Sequence, residues 1–318
     1  MTNKSLKVTH CHGSENYFLL IDGLSTPLDF TESQYQTFCL DAIEQLSYLP
    51  IDGILYLLPS QTADARMRIF NKDGTEAEMC GNGFRCIGKK LYLITGKKQF
   101  YIETMSGILQ GRKEEDIFPG IDSYSVKIPV VEQSDKDTTF YDTEIDELDS
   151  CLKFSSLNMG NPHLTASVTH FDIDKLVKTG QKVNNNCRIF PQGNNVSFYK
   201  IIDTNTISMM TYERGVGLTN ACGTAMAAVS IITAQKNTNL QNQWLQILTP
   251  GGMVKCRPEV EAQKAVMLLG NASFIDEYTI EYQPDKRTIK EVKLTRSYPS
   301  EQQKYQDFKS EILKEHKF

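Results

Sequence analysis

The sequence contains no run of eighteen apolar residues, so it offers no candidate for a membrane-spanning helix. Its opening residues, Met1-Thr2-Asn3-Lys4-Ser5, lead straight into an alternating pattern. They lack the long apolar stretch of a secretory signal, which points to the cytoplasm. No basic block occurs over most of the chain and the net charge is −5, which argues against a nucleic-acid partner, whose footprint is a strong positive patch. Eight cysteines are scattered with no Cys-x-x-Cys pair and no Cys/His cluster at zinc-finger spacing, so no metal site is expected. Disulfides would be unusual in a cytoplasmic chain of this size. Cys39, Cys151, Cys187 and Cys256 read as small buried hydrophobes.

What is present is an ordinary globular composition: 318 residues, 40% hydrophobic and 23% charged, with 20 Gly and 11 Pro. That length suits about two domains, each able to bury a core. Two short stretches stand out because glycine directly follows a cysteine in each. One is Cys80-Gly81-Asn82-Gly83, which runs into a segment with Phe84, Ile87, Leu91 and Tyr92 on one helical stripe. The other is Cys222-Gly223-Thr224-Ala225, which runs into a segment that is small and apolar throughout. A cysteine at a helix start sits where bare N–H groups point outward and the helix dipole is positive, which favours thiolate. The same N–H groups can hold a carboxylate. Two such turns face to face would make a carboxylate cradle flanked by ionisable sulfurs, suited to removing a proton from one side of a carbon and returning one to the other.

The remaining pattern repeats around these stretches. Strands are expected within 5–22, at 54–58 and at 64–70, with a helix over 31–47 that Thr31 caps, and a hairpin at 100–104 and 107–111. Residues 111–150, polar and acidic, read as a loop-rich crossing. After it come strands at 164–168, 194–199 and 207–212, a weak helix at 175–179, a hairpin over 246–256 and a strand at 265–269. The order of strands, cysteine-led helix and hairpin thus occurs twice. The expected fold is α+β, with two pseudo-symmetric domains, each a mixed sheet wrapped around a central helix. The domains are expected at 1–130, completed by a strand from about 272–285, and at 131–271. Residues 286–318 are a charged tail, read either as a peripheral helix or as a solvated face without chemistry.

Two longer signatures resemble one family. Phe70-Asn71-Lys72-Asp73-Gly74-Thr75-Glu76-Ala77-Glu78-Met79-Cys80-Gly81-Asn82-Gly83-Phe84-Arg85-Cys86 closely resembles the first signature of diaminopimelate epimerase. Tyr212-Glu213-Arg214-Gly215-Val216-Gly217-Leu218-Thr219-Asn220-Ala221-Cys222-Gly223-Thr224 resembles the second. The resemblance covers roughly residues 6 to 275. It implies a cofactor-independent isomerase, free of pyridoxal phosphate and of metal, in which Cys80 and Cys222 are the acid–base pair. It also implies that Asn16, Asn71, Asn161, Asn195, Glu213 and Arg214 hold the distal amino-carboxylate of the substrate. The backbone N–H groups of Gly81, Asn82, Gly223 and Thr224 would hold the α-carboxylate. The partner is a small-molecule amino acid, and a homodimer is a candidate assembly.

The chain departs from the family pattern at Leu218, where glutamate is usual, at Asn220, and at Glu15 and Tyr17 in the N-terminal loop. It also lacks a glycine-rich loop at 46–51 and runs on past the family's usual end. These departures bear on the substrate. Diaminopimelate is the first reading, and a single amino acid such as histidine is the alternative. A phenazine-type isomerase without cysteine chemistry and an amino-acid-binding protein of the same fold are the rival classes. His12 and His163 read as loop-stabilising, and Cys86 as core.

Overall fold

The computed structural model describes residues 3–131, 140–148, 151–185, 187–259 and 265–315. Two compact units divide the chain, one formed by residues 1–126 and 270–308, the other by 127–269 and 309–318. The chain runs β1 (Lys4–Gly13), β2 (Asn16–Asp22), α1 (Glu32–Gln45), β3 (Gly53–Leu58), β4 (Ala65–Asn71), β5 (Glu76–Ala77), α2 (Gly81–Thr95), β6 (Gln99–Thr104), β7 (Gly107–Lys113) and β8 (Ser123–Pro129). In this first unit β1 and β2 are antiparallel, and α1 carries the chain to β3, which lies parallel to β2. Strands β3, β4 and β5 are successive antiparallel neighbours, α2 crosses to β6 parallel to β4, and β7 and β8 follow antiparallel.

The second unit contains β9 (Thr143–Glu144), β10 (Lys153–Asn158), β11 (Pro162–Ser167), α3 (Ile173–Asn184), β12 (Asn195–Ile201), β13 (Thr206–Glu213), β14 (Gly217–Thr219), α4 (Gly223–Lys236), β15 (Leu245–Thr249), β16 (Gly252–Glu259) and β17 (Ala265–Asn271). Its connections reproduce those of the first unit. An antiparallel pair β10–β11 is followed by a parallel crossover through α3 to β12 and antiparallel β13 and β14. A parallel crossover through α4 then leads to β15, with antiparallel β16 and β17 after it. The chain ends with β18 (Ser273–Gln283), β19 (Thr288–Ser297) and α5 (Pro299–Glu315). β18 lies antiparallel to β1 on one side and to β19 on the other. Among the described residues, no helix is long and apolar enough to cross a membrane.

The period of two along β3 explains why one unit carries two helices. Ile54 and Tyr56 join Tyr35, Phe38 and Ala42 of α1 in one apolar cluster. Leu55, on the other face, approaches α2 so closely that a β-carbon on Gly83 would stand 2.7 Å from it. A sheet buried on both faces needs apolar residues at every position, and β3 is buried throughout. α4 is buried on every side from Gly223 to Ala234, as its uniformly small, apolar sequence requires. Gly88 lets α2 lie against β6, since a β-carbon there would meet the Phe100 ring at 2.5 Å. Gly88→Ala is therefore expected to cost about 1–3 kcal/mol by overpacking, read as a lower urea midpoint at unchanged slope.

Four expectations are corrected. The crossing at 111–150 contains β8, with Tyr124, Val126 and Ile128 buried. Its alternate positions are serines that bond locally, Ser123 Oγ to Ile121 O at 2.8 Å and Ser125 Oγ to Glu114 Oε1 at 2.7 Å, so a buried strand looks polar. The acidic stretch Ser134-Asp135-Lys136-Asp137 lies outside the described residues. The helix expected at 175–179 extends over Ile173–Asn184, because Asp172 caps it by accepting the Lys175 N–H at 2.9 Å. Cys151 is exposed in a turn ahead of β10, while Cys39, Cys187 and Cys256 are buried. Residues 286–318 are not simply a solvated face: β19 pairs along its length, and Tyr305 and Phe308 of α5 are buried.

Candidate active site

In the first unit Cys80 is the N-cap of α2. It is extended (φ −143°, ψ 115°), and its carbonyl accepts the Phe84 N–H at 2.8 Å, the first bond of the helix. Its sulfur accepts the Gly83 N–H at 3.4 Å, one of the donors a helix start leaves over. Asn16 reaches it from the β1–β2 hairpin. The two turn residues, Ser14 and Glu15, both have positive φ (53° and 57°), the geometry a tight two-residue hairpin demands. Neither is glycine, so each costs about 1 kcal/mol of local strain. Asn16 Oδ1 lies 3.7 Å from Cys80 Sγ and accepts from Asn82 Nδ2 at 3.3 Å. Asp52 steadies the other end of this amide, 3.2 Å from Asn16 Nδ2, and also accepts the Tyr17 N–H at 2.8 Å.

Two supports of this site were not legible as such. Asp52 stands just ahead of β3, and nothing in the sequence around it marks a site residue. Arg85 is fully buried inside α2, and its guanidinium donates to Asn271 O at 2.9 Å, Gly81 O at 3.3 Å and Ser14 Oγ at 3.3 Å. It thereby joins the helix start, the hairpin turn and the end of β17. Gly13 makes room for it, since a β-carbon there would stand 2.9 Å from Arg85 Nη2. Asn71 is held in its own turn, with Nδ2 donating to Thr75 Oγ1 at 3.1 Å and its N–H to Thr75 O at 2.8 Å.

In the second unit Cys222 is the N-cap of α4, its carbonyl accepting the Met226 N–H at 3.0 Å. The sulfur is buried and lies 3.5 Å from Thr224 Oγ1. Burial, and next the charge of Glu213, push this thiol well above its usual range; the hydrogen bonds from Thr224 and Ala225 pull the other way and lose. Glu213 ends β13, and Asn195 starts the neighbouring β12. Asn195 Oδ1 accepts the Arg214 N–H at 2.9 Å, and Arg214 Nη1 donates to Gln192 O at 2.8 Å, leaving its head at the surface. His163 of β11 stands opposite Asn195 in the parallel register, and its Nε2 donates to Asn161 Oδ1 at 2.9 Å. Strand pairing thus collects Asn161, Asn195, Glu213 and Arg214 at one end of β11, β12 and β13.

Both histidines of these sites are held neutral. Burial lowers His163 to about 3, with the charge of Arg214 adding to it, and burial lowers His12 to about 3 against an opposing bond from Gln302. An unfolded histidine titrates at 6.5, so the stability these groups contribute is complete above that pH and is lost as pH falls toward 3. Each is expected to remove about 1.4 kcal/mol per pH unit in that window. Thermal melts from pH 7 to pH 4.5 should show a steep fall in Tm, shallower in His163→Gln. An equal slope in that variant would show that His163 charges in place.

The profile of the family described as diaminopimelate epimerase matches residues 8–116 and 155–275 of this chain. The chain belongs to the diaminopimelate epimerase family. It is 36% identical to a diaminopimelate epimerase of Clostridium acetobutylicum over 314 residues, 95% of this chain and 93% of that one. It is 32% identical to one of Lactiplantibacillus plantarum over 332 residues, 98% and 99% of the two chains. Among solved structures, a PhzF-family phenazine biosynthesis protein of Bacillus anthracis superposes with a TM-score of 0.64 at 17% identity, covering 87% of this chain and 99% of that one. A hydroxyproline epimerase of Agrobacterium vitis superposes with a TM-score of 0.61 at 16% identity, covering 89% and 93%. At such identities the likeness is one of fold. Within the diaminopimelate epimerase family match lie both cysteine-capped helices and all four of Asn161, Asn195, Glu213 and Arg214; β19 and α5 lie beyond it.

Proposed function

We propose that this member of the family inverts the α-carbon of diaminopimelate with Cys80 and Cys222 as its two bases. The observation that carries the reading is the repeated device: each unit ends a short hairpin-like excursion in a cysteine that caps its buried helix. Cys222 is the thiol of the resting enzyme, because burial and Glu213 keep it protonated. Cys80, with the Gly83 N–H on its sulfur at a positive helix end, is the thiolate. In one direction the Cys80 thiolate takes the α-proton and the Cys222 thiol protonates the opposite face; the roles exchange for the return.

The N–H groups of Gly81, Asn82, Gly223 and Thr224 hold the α-carboxylate and take up charge as the carbanion develops on it. Asn161 and Asn195 both engage their amide oxygens, so the nitrogen is what each offers a ligand. With Asn16, Asn71, Glu213 and Arg214 they would bind the distal amino-carboxylate. The site residues carry no group that calls for a cofactor, and the proton chemistry is complete with two sulfurs. The enzyme would act in the cytoplasm on a small amino acid.

The test is solvent exchange. LL-diaminopimelate and L-histidine are each incubated with the protein in D₂O and followed by proton NMR. Loss of the α-proton signal of diaminopimelate, with formation of the meso isomer, is the expected result. Exchange of histidine alone would move the activity to a single amino acid and leave the cysteine chemistry in place. Binding of diaminopimelate without exchange would make the protein a carrier rather than an isomerase.

A further inference from the structure

Beyond residue 275, where the family match ends, α5 packs against the back of the Cys80 site. Glu301, Gln302, Tyr305 and Phe308 share one face of this helix. Glu301 takes the buried Lys89 of α2 as its partner and accepts the Phe274 N–H at 3.2 Å. Lys89 also lies 3.0 Å from the Asp122 carboxylate and 4.6 Å above the Phe274 ring. Gln302 Nε2 donates to Phe274 O at 2.8 Å. One turn on, Tyr305 is fully buried with its ring edge-on to His12, centroids 4.6 Å apart, while Phe308 packs on Phe118 at 5.0 Å. Gln306 Nε2 donates to Glu15 Oε1 at 3.3 Å.

These contacts converge on the hairpin turn. His12 Nδ1 accepts the Glu15 N–H at 3.3 Å, and Glu15 is followed by Asn16, whose oxygen lies 3.7 Å from Cys80 Sγ. Two successive non-glycine residues at positive φ persist only where their surroundings hold them. Arg85 and Asn271 hold Ser14 from one side, Asn271 Oδ1 accepting the Ser14 N–H at 2.8 Å. α5 closes the other side, through the Tyr305 ring on His12, the Tyr305 hydroxyl on Ser14 and the Gln306 amide on Glu15.

We infer that Tyr305 is a positioning residue for Cys80: its ring, seated behind His12, fixes the Ser14–Glu15 turn so that Asn16 stays on the sulfur. The inference rests on the reading of Cys80 as a reactive thiol, and its test includes a readout that needs no substrate. Tyr305→Ala, Tyr305→Phe and Phe308→Ala are made in the full chain. Phe308→Ala loosens the same helix away from the turn. For each, the rate of Cys80 alkylation by iodoacetamide is measured by peptide mapping, and kcat and KM are measured on diaminopimelate, well below Tm.

Tyr305→Ala is expected to raise the alkylation rate about fivefold, because the Asn16 amide, 3.7 Å from the sulfur, no longer shields it. It should lower kcat about tenfold with KM little changed, as a displaced catalytic group does. Tyr305→Phe, which keeps the ring on His12 and gives up only the hydroxyl's bond to Ser14, should restore most of both, and Phe308→Ala should lower Tm while leaving both near their original values. If Tyr305→Ala does not fold, Tyr305→Leu, which keeps apolar volume without the ring contact, takes its place under the same criteria. Tyr305→Ala, or Tyr305→Leu in its place, matching Phe308→Ala in alkylation rate and in kcat overturns the inference. If diaminopimelate is not turned over by any of the proteins, the proposed substrate fails and the alkylation rates still decide the role of Tyr305.

Discussion

Cys80→Ala is expected to lower epimerisation of diaminopimelate by about 10³-fold or more, within the range that a positioned acid or base supplies, and Cys222→Ala should do the same. The two losses have different chemical origins in each direction of reaction. Without its thiolate the enzyme cannot remove the α-proton; without its thiol it returns the proton to the face it came from, and no inversion results. A β-fluoro analogue separates the two. Elimination needs only one base: the α-proton goes to a sulfur and fluoride leaves from the β-carbon. Each alanine variant should therefore retain elimination from one stereoisomer and lose it from the other. Fluoride release, followed with an ion-selective electrode beside the NMR exchange assay, checks this. Near-original epimerisation by either alanine variant would end the two-base reading.

Arg214→Met should lower kcat/KM on diaminopimelate by about 10²-fold, the scale of a charge-assisted bidentate contact to a carboxylate. The argument starts from geometry. The Arg214 backbone is fixed by Asn195, and Gln192 anchors one side of the guanidinium, leaving the head at the surface to meet a ligand. Glu213 and the nitrogens of Asn161 and Asn195 supply the remaining capacity for a second amino-carboxylate. Of these, Asn195 is buried, and leaving its nitrogen unmatched costs about 1–3 kcal/mol, so a substrate with one plain side chain would waste it. Steady-state kinetics of the variant on diaminopimelate and on histidine decide the matter. An unchanged kcat/KM on diaminopimelate would remove Arg214 from the distal clamp.

Local chemistry made several elements legible. Thr31 and Gln34 form a reciprocal capping box, and the α1 stripe of Tyr35, Phe38 and Ala42 is buried as its spacing demands. The two cysteine-glycine turns announce helix starts because a small-residue turn ahead of an apolar stripe has few other uses. Where side chains satisfied themselves locally, the pattern misled: the serines of β8 hide a buried strand, and the Asp172 cap lengthens a helix that looked weak. The tail misled for another reason. In α5 only Tyr305 and Phe308 are buried aromatics within a run of Lys, Glu and Gln, too few to declare an apolar face.

The sequence by itself determined the duplicated α+β architecture, the family, and the two cysteines as the residues worth asking about. All of these rest on short-range spacing or on long contiguous signatures, and each is encoded within a few tens of residues. Tertiary structure alone decided what surrounds each sulfur. Asn16 meets Cys80 across 64 residues, Arg85 meets Asn271 across 186, and Gln306 meets Glu15 across 291. Such contacts are set by which strands pair and in what register. A one-residue slip would turn every side chain of a strand to the other face, so the partners of a given side chain follow from the whole sheet rather than from its neighbours in the chain.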